Sequence, residues 1–343
     1  KRRLMGKFAE FLKEQDNEKP YRFVLIWHDE PLDPDDPEKT ATQVIEEGKK
    51  LGCVGFKVEI NGAYSALDEK TNQRYIYDKE GKGFKVDEDT LVFVRAPVTR
   101  RKSWSNLLTQ LERENICCVN NRHCMESTSD KYRTSLILAE NKLTQPKNVL
   151  IHHESRALDD FDRLDVKFPV ILKTLTGSLG VGVVKIESEE SLNATTQLMH
   201  KLDPDMGVLL QEFIPTTYDV RVHVIAGKVH GAIKRPIVEK DFRSNVSLGS
   251  IPEAHTLTKL EEEHCIKAAK AVDGLWVGVD FIPAKNRDKD NPLFIEVNAT
   301  PGTKGYVKAT KTNLIKDVMT TFLNRDNWLK SKPFQSIYGE NHE

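Results

Sequence analysis

Residues 276–298 read WVGVDFIPAKNRDKDNPLFIEVN, and the fold turns on how this stretch is understood. Two apolar runs rich in strand formers, 276–282 and 293–298, flank the charged loop NRDKDN. The first run carries Asp280; the second carries Glu296 and, two places on, Asn298. Successive strand side chains point to opposite faces, so Glu296 and Asn298 share one face while Ile295 and Val297 take the other. An ionised carboxylate on such a strand is costly, on the order of several kcal/mol, unless it is paired or binds a metal. Two carboxylates and an amide oxygen are hard ligands that suit Mg2+ carrying a nucleotide's phosphates. Two buried salt bridges are the alternative, and the chain has enough Lys and Arg to supply them.

Upstream lie two further features. Residues 176–183, TGSLGVGV, connect two apolar strands, with Lys173 at the end of the first. Glycines let a backbone approach phosphates closely and aim N–H groups at them. A plain glycine-rich hairpin loop accounts for the same letters. Neither GxxxxGK[ST] nor a strand–GxGxxG–helix unit occurs, which disfavours the P-loop and dinucleotide folds. The second feature is a set of cations, Arg221, Lys234 and Arg235, with Arg243 shortly after. Arginines can neutralise transferring charge and grip carboxylates in bidentate geometry, although alternating charges on a strand also mark a solvated face.

The rest of the chain supports a mixed α/β and α+β protein. Apolar runs at 21–27, 53–60, 91–95 and 116–119 alternate with helical patterns at 40–51 and 104–114, which predicts a small parallel-sheet unit. Residues 65–89 read as a hairpin or loop excursion. A helix over 129–142, capped by Ser129 or Asp130, opens the second half. Strands at 149–152, 170–173, 181–186, 208–213, 220–226 and 229–233 follow, with helices over 191–202, 256–272 and 313–323. The expected organisation is an N-terminal helical extension (1–20), an α/β unit (21–125), a small subdomain with the glycine-rich flap (126–205), a subdomain with the metal site (206–330) and a tail (331–343).

Composition narrows the function classes. With 51 basic and 52 acidic residues the net charge is −1, so no overall field draws the chain to nucleic acid. No apolar run approaches the roughly 20 residues that span a bilayer, and the basic start lacks the apolar stretch of a signal peptide. Five cysteines without a CxxC pair fit buried thiols in a reducing cytoplasm better than a disulfide framework. His152 and His153 are adjacent and so face opposite ways on a strand, which disfavours a shared metal. His223 and His230 are expected to face one another across the hairpin and read as strand fillers or substrate neighbours. Arg95, Arg100 and Arg101 end the third strand, where α/β sheets tend to bind ligands; they either attract an acidic substrate or line a wet loop.

From about 129 to 322 the sequence resembles the ATP-grasp domain of the RimK-type glutamate ligases. Asp130-Lys131, FPVILKTLTGSLGVGVV, LLQEFI, DVRVHVIAGKVHGAIKR, DFRSN, GVDFI and FIEVNATPGTKG carry the likeness, in order. The resemblance implies an ATP-grasp fold behind a small parallel-sheet α/β domain. It implies that Lys131 and Lys173 contact the nucleotide phosphates, that Gly177, Ser178, Gly180 and Gly182 form a flap over them, and that Gln211, Glu212, Phe213 and Ile214 hold adenine. Asp219 matches a nucleotide-contacting acid. Arg221, Arg235, Arg243, Ser244 and Asn245 match phosphate and reaction-centre contacts, and Asp280, Glu296 and Asn298 match ligands of one or two Mg2+ ions, with Mn2+ as a substitute. The implied reaction joins an amino acid, glutamate foremost, to the carboxylate of a protein C-terminus, peptide or metabolite through an acyl phosphate. The implied assembly is a homo-oligomer, a tetramer in much of the family. A glutathione- or dipeptide-like synthetase, or a nucleotide-binding module without turnover, are the competing readings. The wording of VRAPVTRRKSW departs from the family's and leaves substrate identity open.

Overall fold

Strand-rich runs separated by amphipathic helical stretches can bury both faces of a parallel sheet, and the first part of the chain does so. The computed structural model describes residues 22–28, 37–68, 70, 73–87, 89–97, 102–114, 116–177, 182–237 and 251–324. The expected N-terminal helix and tail, together with Arg100, Arg101, Ser178, Gly180, Arg243, Ser244 and Asn245, lie outside the described residues. β1 (Arg22–Trp27), α1 (Pro37–Lys50) and β2 (Val54–Glu59) come first. A three-stranded antiparallel sheet, β3 (Tyr64–Asp68), β4 (Gln73–Tyr77) and β5 (Gly83–Val86), precedes β6 (Thr90–Arg95), α2 (Lys102–Arg113) and β7 (Cys118–Val119). The four long-range strands pair in parallel in the order β2-β1-β6-β7. The excursion at 65–89 is thus a sheet in its own right, anchored by buried Ile76 and Val86 and by the Arg74–Glu114 ion pair.

The next stretch holds α3 (Arg122–Ser129) and α4 (Lys131–Glu140), whose N-caps Asn121 and Asp130 accept from backbone N–H groups one turn on. β8 (Asn148–Ile151) leads through a 3-10 turn over Glu154–Arg156 into α5 (Ala157–Leu164). Then come β9 (Val170–Thr174), β10 (Val183–Ile186), α6 (Glu189–Leu202) and β11 (Val208–Glu212). The strands form an antiparallel sheet, β10-β9-β11-β8, whose core joins Phe161 and Leu164 of α5 and Leu192 of α6 to Val170, Leu172 and Leu210.

β12 (Tyr218–Ile225) and β13 (Lys228–Pro236) form a hairpin. Its two central residues, Ala226 and Gly227, have φ of 49° and 74°, the left-handed pair that a primed two-residue turn requires. β14 (Glu253–His255), α7 (Lys259–Ala271), β15 (Trp276–Ile282), β16 (Leu293–Asn298), α8 (Lys304–Thr310) and α9 (Leu314–Phe322) complete the described chain. The large antiparallel sheet runs β14-β13-β12-β15-β16. One face is apolar: Val220, Val222, Val279 and Phe281 pack with Cys265, Ala268 and Ala269 of α7, and the cluster continues into Val24 and Val92 of the parallel sheet. Among the described residues no helix is long and apolar enough to cross a membrane.

Asn120, directly after β7, ties the parallel sheet to the large one. Its Nδ2 donates to the carbonyls of Trp276 and Ala299 at 2.7 Å each, and its Oδ1 accepts from the N–H groups of Leu275 at 2.8 Å and Trp276 at 2.9 Å. A carboxamide can make four such bonds, and this buried one makes all four. Asn120→Ala strands buried backbone groups of residues 275, 276 and 299, and each orphan costs about 1–3 kcal/mol. The variant should lose about 2–4 kcal/mol of stability in urea unfolding; an unchanged midpoint would show that the junction does not depend on this side chain.

Candidate functional site

The other face of the large sheet is charged. On β12, residues 219, 221 and 223 share it, and the register places Arg235 opposite Asp219 and Asp280 opposite Arg221. Across β15 and β16, Asp280 faces Glu296 and Gly278 faces Asn298. A β-bulge after Asp280 sets the next pair as Phe281 and Phe294, so Ile295 is the extra residue. The bulge brings the two carboxylates side by side while both phenylalanines stay in the core.

The central groups form one chain of ion pairs. Arg221 donates Nε to Asp280 Oδ1 at 2.7 Å and Nη2 to Oδ2 at 2.6 Å. Arg235 donates Nη2 to Asp280 Oδ2 at 2.8 Å, and grips Asp219 with Nε at 2.8 Å and Nη2 at 2.6 Å. Arg235 is 3% exposed and Arg221 is largely enclosed, so these two arginines are not a solvated face, whereas Lys234 is half-exposed and pairs with Glu253 at 3.0 Å. Burial by itself would raise the pKa of Asp280, but the Arg221 and Arg235 guanidiniums override it and hold the carboxyl down at about 2. Asp280 therefore stays ionised across the physiological range.

Facing groups come from the four-stranded antiparallel sheet, smaller than the five-stranded one, and from α4. Lys173 on β9 is buried and donates Nζ to Gln211 Oε1 on β11 at 2.6 Å. Burial pushes its pKa down to about 8, against the pull of Glu296 and with a further push from Lys131. Lys173 thus feels the charges of Glu296 on the large sheet and of Lys131 on α4. Lys131, the first residue of α4, donates Nζ to the Gly177 carbonyl at 3.2 Å and its backbone N–H to Leu175 O at 2.9 Å, so it holds the root of the glycine-rich connection. Gly182 at the far root has φ of 76° and lies against Thr174, where a Cβ would meet Oγ1 at 2.3 Å. Glu212 ends β11 and accepts from the Lys147 N–H at 3.2 Å, and Lys185 Nζ stands 5.1 Å from the Phe213 ring centroid. Phe213 and Ile214 begin the half-buried extended link to β12.

Where the charged row ends, aromatic packing takes over. Trp276 donates Nε1 to His223 Nδ1 at 3.4 Å, and the His223 ring meets Tyr306 edge-on at 4.7 Å. Burial, then Arg221 and Arg95, lower the His223 pKa to about 3, so this histidine is neutral. His230 is the bulged residue of β13, not the cross-strand partner of His223, and it reaches the Tyr306 hydroxyl at 3.0 Å. The Arg95 guanidinium lies 4.4 Å from the Trp276 ring centroid and donates Nη2 to Pro301 O at 2.8 Å. Its position at the end of β6 joins the parallel sheet to the charged face. Tyr306 and Trp276 escape a search for charged motifs; Gly231, whose Cβ would meet the Tyr306 hydroxyl at 2.2 Å, is the one local sign of so close an approach. The five cysteines are free and buried, and burial raises their pKa values, so none is an activated nucleophile.

The donor set fits a hard divalent cation, unevenly. Among the described residues Glu296 makes no hydrogen bond or ion pair, which leaves both carboxylate oxygens available. Asn298 Oδ1 accepts from Thr300 N at 2.8 Å, which orients the amide oxygen, and from Thr300 Oγ1 at 3.5 Å, a long contact that a turn of the hydroxyl would release to a cation. Asp280 accepts twice at Oδ2 and once at Oδ1 and can offer a cation only the remaining position on Oδ1. The salt-bridge alternative thus describes much of what Asp280 does, while Glu296 and Asn298 remain open to a metal.

Residues 128–322 match the RimK-like ATP-grasp domain. Over 282 residues the chain is 30% identical to the coenzyme gamma-F420-2:alpha-L-glutamate ligase of Methanocaldococcus jannaschii, an alignment that covers 80% of this chain and 91% of that one. Over 210 residues it is 31% identical to a probable alpha-L-glutamate ligase of Coxiella burnetii, covering 61% and 67% of the two chains. Among solved structures, the ATP-grasp ligase PsnB complexed with minimal precursor superposes with a TM-score of 0.64 at 18% identity, covering 87% of this chain and 97% of that one. The macrocyclase MdnC bound with precursor peptide MdnA from Microcystis aeruginosa gives 0.67 at 12% identity, covering 88% and 99%. These two share the fold. The matched residues build the four- and five-stranded antiparallel sheets and the charged groups between them, so the chain belongs to the RimK-like ATP-grasp family.

Proposed function

We propose that the chain is an ATP-dependent carboxylate–amine ligase that joins glutamate, as the amine, to a carboxylate acceptor with release of ADP and phosphate. The observation that carries this reading is the charged row Asp219–Arg235–Asp280–Arg221, with the unpaired Glu296 beside it and Lys173 and Lys131 opposite. Likeness to two proteins named alpha-L-glutamate ligases supports glutamate. The acceptor is a protein C-terminus, a peptide or a small metabolite, and five free cysteines suit a reducing cytoplasm.

In this reading Lys131 and Lys173 hold the phosphates, the glycine-rich connection from Gly177 to Gly182 covers them, and Gln211, Glu212, Phe213 and Ile214 receive the adenine. Ser178 and Gly180 belong to that cover, and Arg243, Ser244 and Asn245 to the reaction-centre contacts. Glu296 and Asn298 hold Mg2+, with Asp280 contributing through Oδ1, and the ion supplies charge neutralisation on the phosphates. The acceptor carboxylate attacks the γ-phosphorus, and the bond to ADP breaks to give an acyl phosphate. The amine then attacks the acyl carbon and phosphate departs. Arg221 and Arg235 keep fixed positive charge beside the transferring groups, and both are already held in place by carboxylates before substrate arrives.

The direct test is glutamate- and acceptor-dependent ADP release, with the amide product identified by mass spectrometry. Glu296→Gln should fold normally and lower turnover by at least about 100-fold. ATP binding without ADP release under any amino acid and acceptor would instead indicate a nucleotide-binding module. A second test concerns protonation. Lys173 should titrate near pH 8 in the ligand-free protein when followed by NMR of a methyl-labelled lysine. Its neutral fraction grows above that pH, and Glu296→Gln, which removes the carboxylate favouring the charged form, should move the titration lower still. A Lys173 that titrates with exposed lysines, around 10.4, would mean that the two sheets do not enclose it.

A further inference from the structure

Away from the charged face, three side chains converge on the back of the smaller antiparallel sheet. His153 caps the 3-10 turn that follows β8, Glu154 is the first residue of that turn, and His200 lies in the last turn of α6. Glu154 Oε2 stands 3.1 Å from His153 Nδ1 and 3.2 Å from His200 Nε2, and the three residues each offer one ligand atom within 4.8 Å of the others. Two ligand atoms bound at tetrahedral angles to an ion with bonds of about 2.0–2.2 Å are separated by about 3.3–3.6 Å, a few tenths of an ångström beyond both spacings.

Hydrogen bonding alone accounts poorly for this arrangement. His153 Nδ1 lies 3.3 Å from the Ser155 backbone N–H and 2.9 Å from Ser155 Oγ as well as 3.1 Å from Glu154 Oε2, so one ring nitrogen with one bonding direction is shared among three neighbours. Glu154 Oε2 is buried and has no hydrogen-bond partner, although two imidazoles abut it. His200 makes no hydrogen bond among the described residues, and its buried Nδ1 is equally unpartnered. Two ring nitrogens and a carboxylate oxygen that converge this closely can be bridged by a cation placed among them. Two imidazoles and one carboxylate select a borderline divalent metal such as Zn2+ over Mg2+, and three protein ligands leave a position for water. The adjacent pair His152-His153 is not the ligand pair: the second histidine comes from a helix 47 positions further along.

We infer that His153, Glu154 and His200 form a binding site for a Zn2+-class ion that clasps the end of α6 to the turn after β8. The site is separate from the nucleotide face and independent of the ligase reading. Loading it would exchange the Ser155 contacts at Nδ1 for a coordination bond.

The test uses the full chain, stripped with chelator and titrated with ZnCl2 by calorimetry in millimolar Mg2+, with Co2+ absorption as a spectroscopic probe. One equivalent of Zn2+ should bind and raise the melting temperature, and the Co2+ spectrum should show nitrogen ligation in four-coordinate geometry. His153→Ala removes an exposed side chain and should leave the fold intact, yet weaken Zn2+ binding by at least about tenfold. His200→Ala should do the same, and Glu296→Gln, at the other face, should not. Absence of Zn2+ binding, or the same isotherm in the chain and in His153→Ala, would overturn the proposal.

Discussion

The buried chain of charges Asp219–Arg235–Asp280–Arg221 is the constraint on which the rest of the molecule depends. Four ionised groups on adjacent strands are expensive to desolvate, and removing one partner strands another at a cost of about 3–5 kcal/mol. The arrangement holds because each guanidinium meets carboxylate oxygens in fork geometry, at 2.6–2.8 Å. That geometry in turn needs three strands in one register, with the bulge after Asp280 keeping Glu296 alongside. The opposite face, valines and phenylalanines under α7, fixes the register, because a one-residue slip would turn every charge into the core.

The same sheet face is divided between chemistry and docking. Its charged part gives way to Trp276, Ile225 and Ile233, which pack with α9 and with Phe23, Leu25 and Phe93 of the parallel sheet. Asn120 and Arg95 sit along this boundary and bond to the backbone of residues 275, 276, 299 and 301. The parallel sheet thus braces the loop that follows Asn298, and anything that loosens the junction should be felt by the Asn298 amide through Thr300.

Periodicity made much of this legible in the sequence. The strand runs around Asp280 and Glu296 stand where expected, and acidic letters inside apolar strands marked the face correctly. Lys173 and the glycine-rich connection were visible as a pair. Helix α5 is absent from the sequence reading although Ala157, Phe161 and Leu164 carry helical spacing, because the run ALDDFDRL is short and half of it is charged. α3, RHCMESTS, has too few apolar residues to announce itself, and its stability comes from the Asn121 cap and from buried Cys124 and Met125. The pairing of Asp280 with two arginines was out of reach, since cross-strand register depends on bulges that no local pattern encodes. The bond between Asn120 and residues 155 positions away belongs to the same class.

The most direct measurement of the central claim is a crystal structure with Mg2+ and a non-hydrolysable ATP analogue. An ion should stand at about 2.0–2.1 Å from a Glu296 carboxylate oxygen and from Asn298 Oδ1, with Lys131 and Lys173 on the phosphates and the Arg221–Asp280–Arg235 contacts retained. A nucleotide bound with Glu296 and Asn298 free of metal, or phosphates seated away from the two lysines, would contradict it.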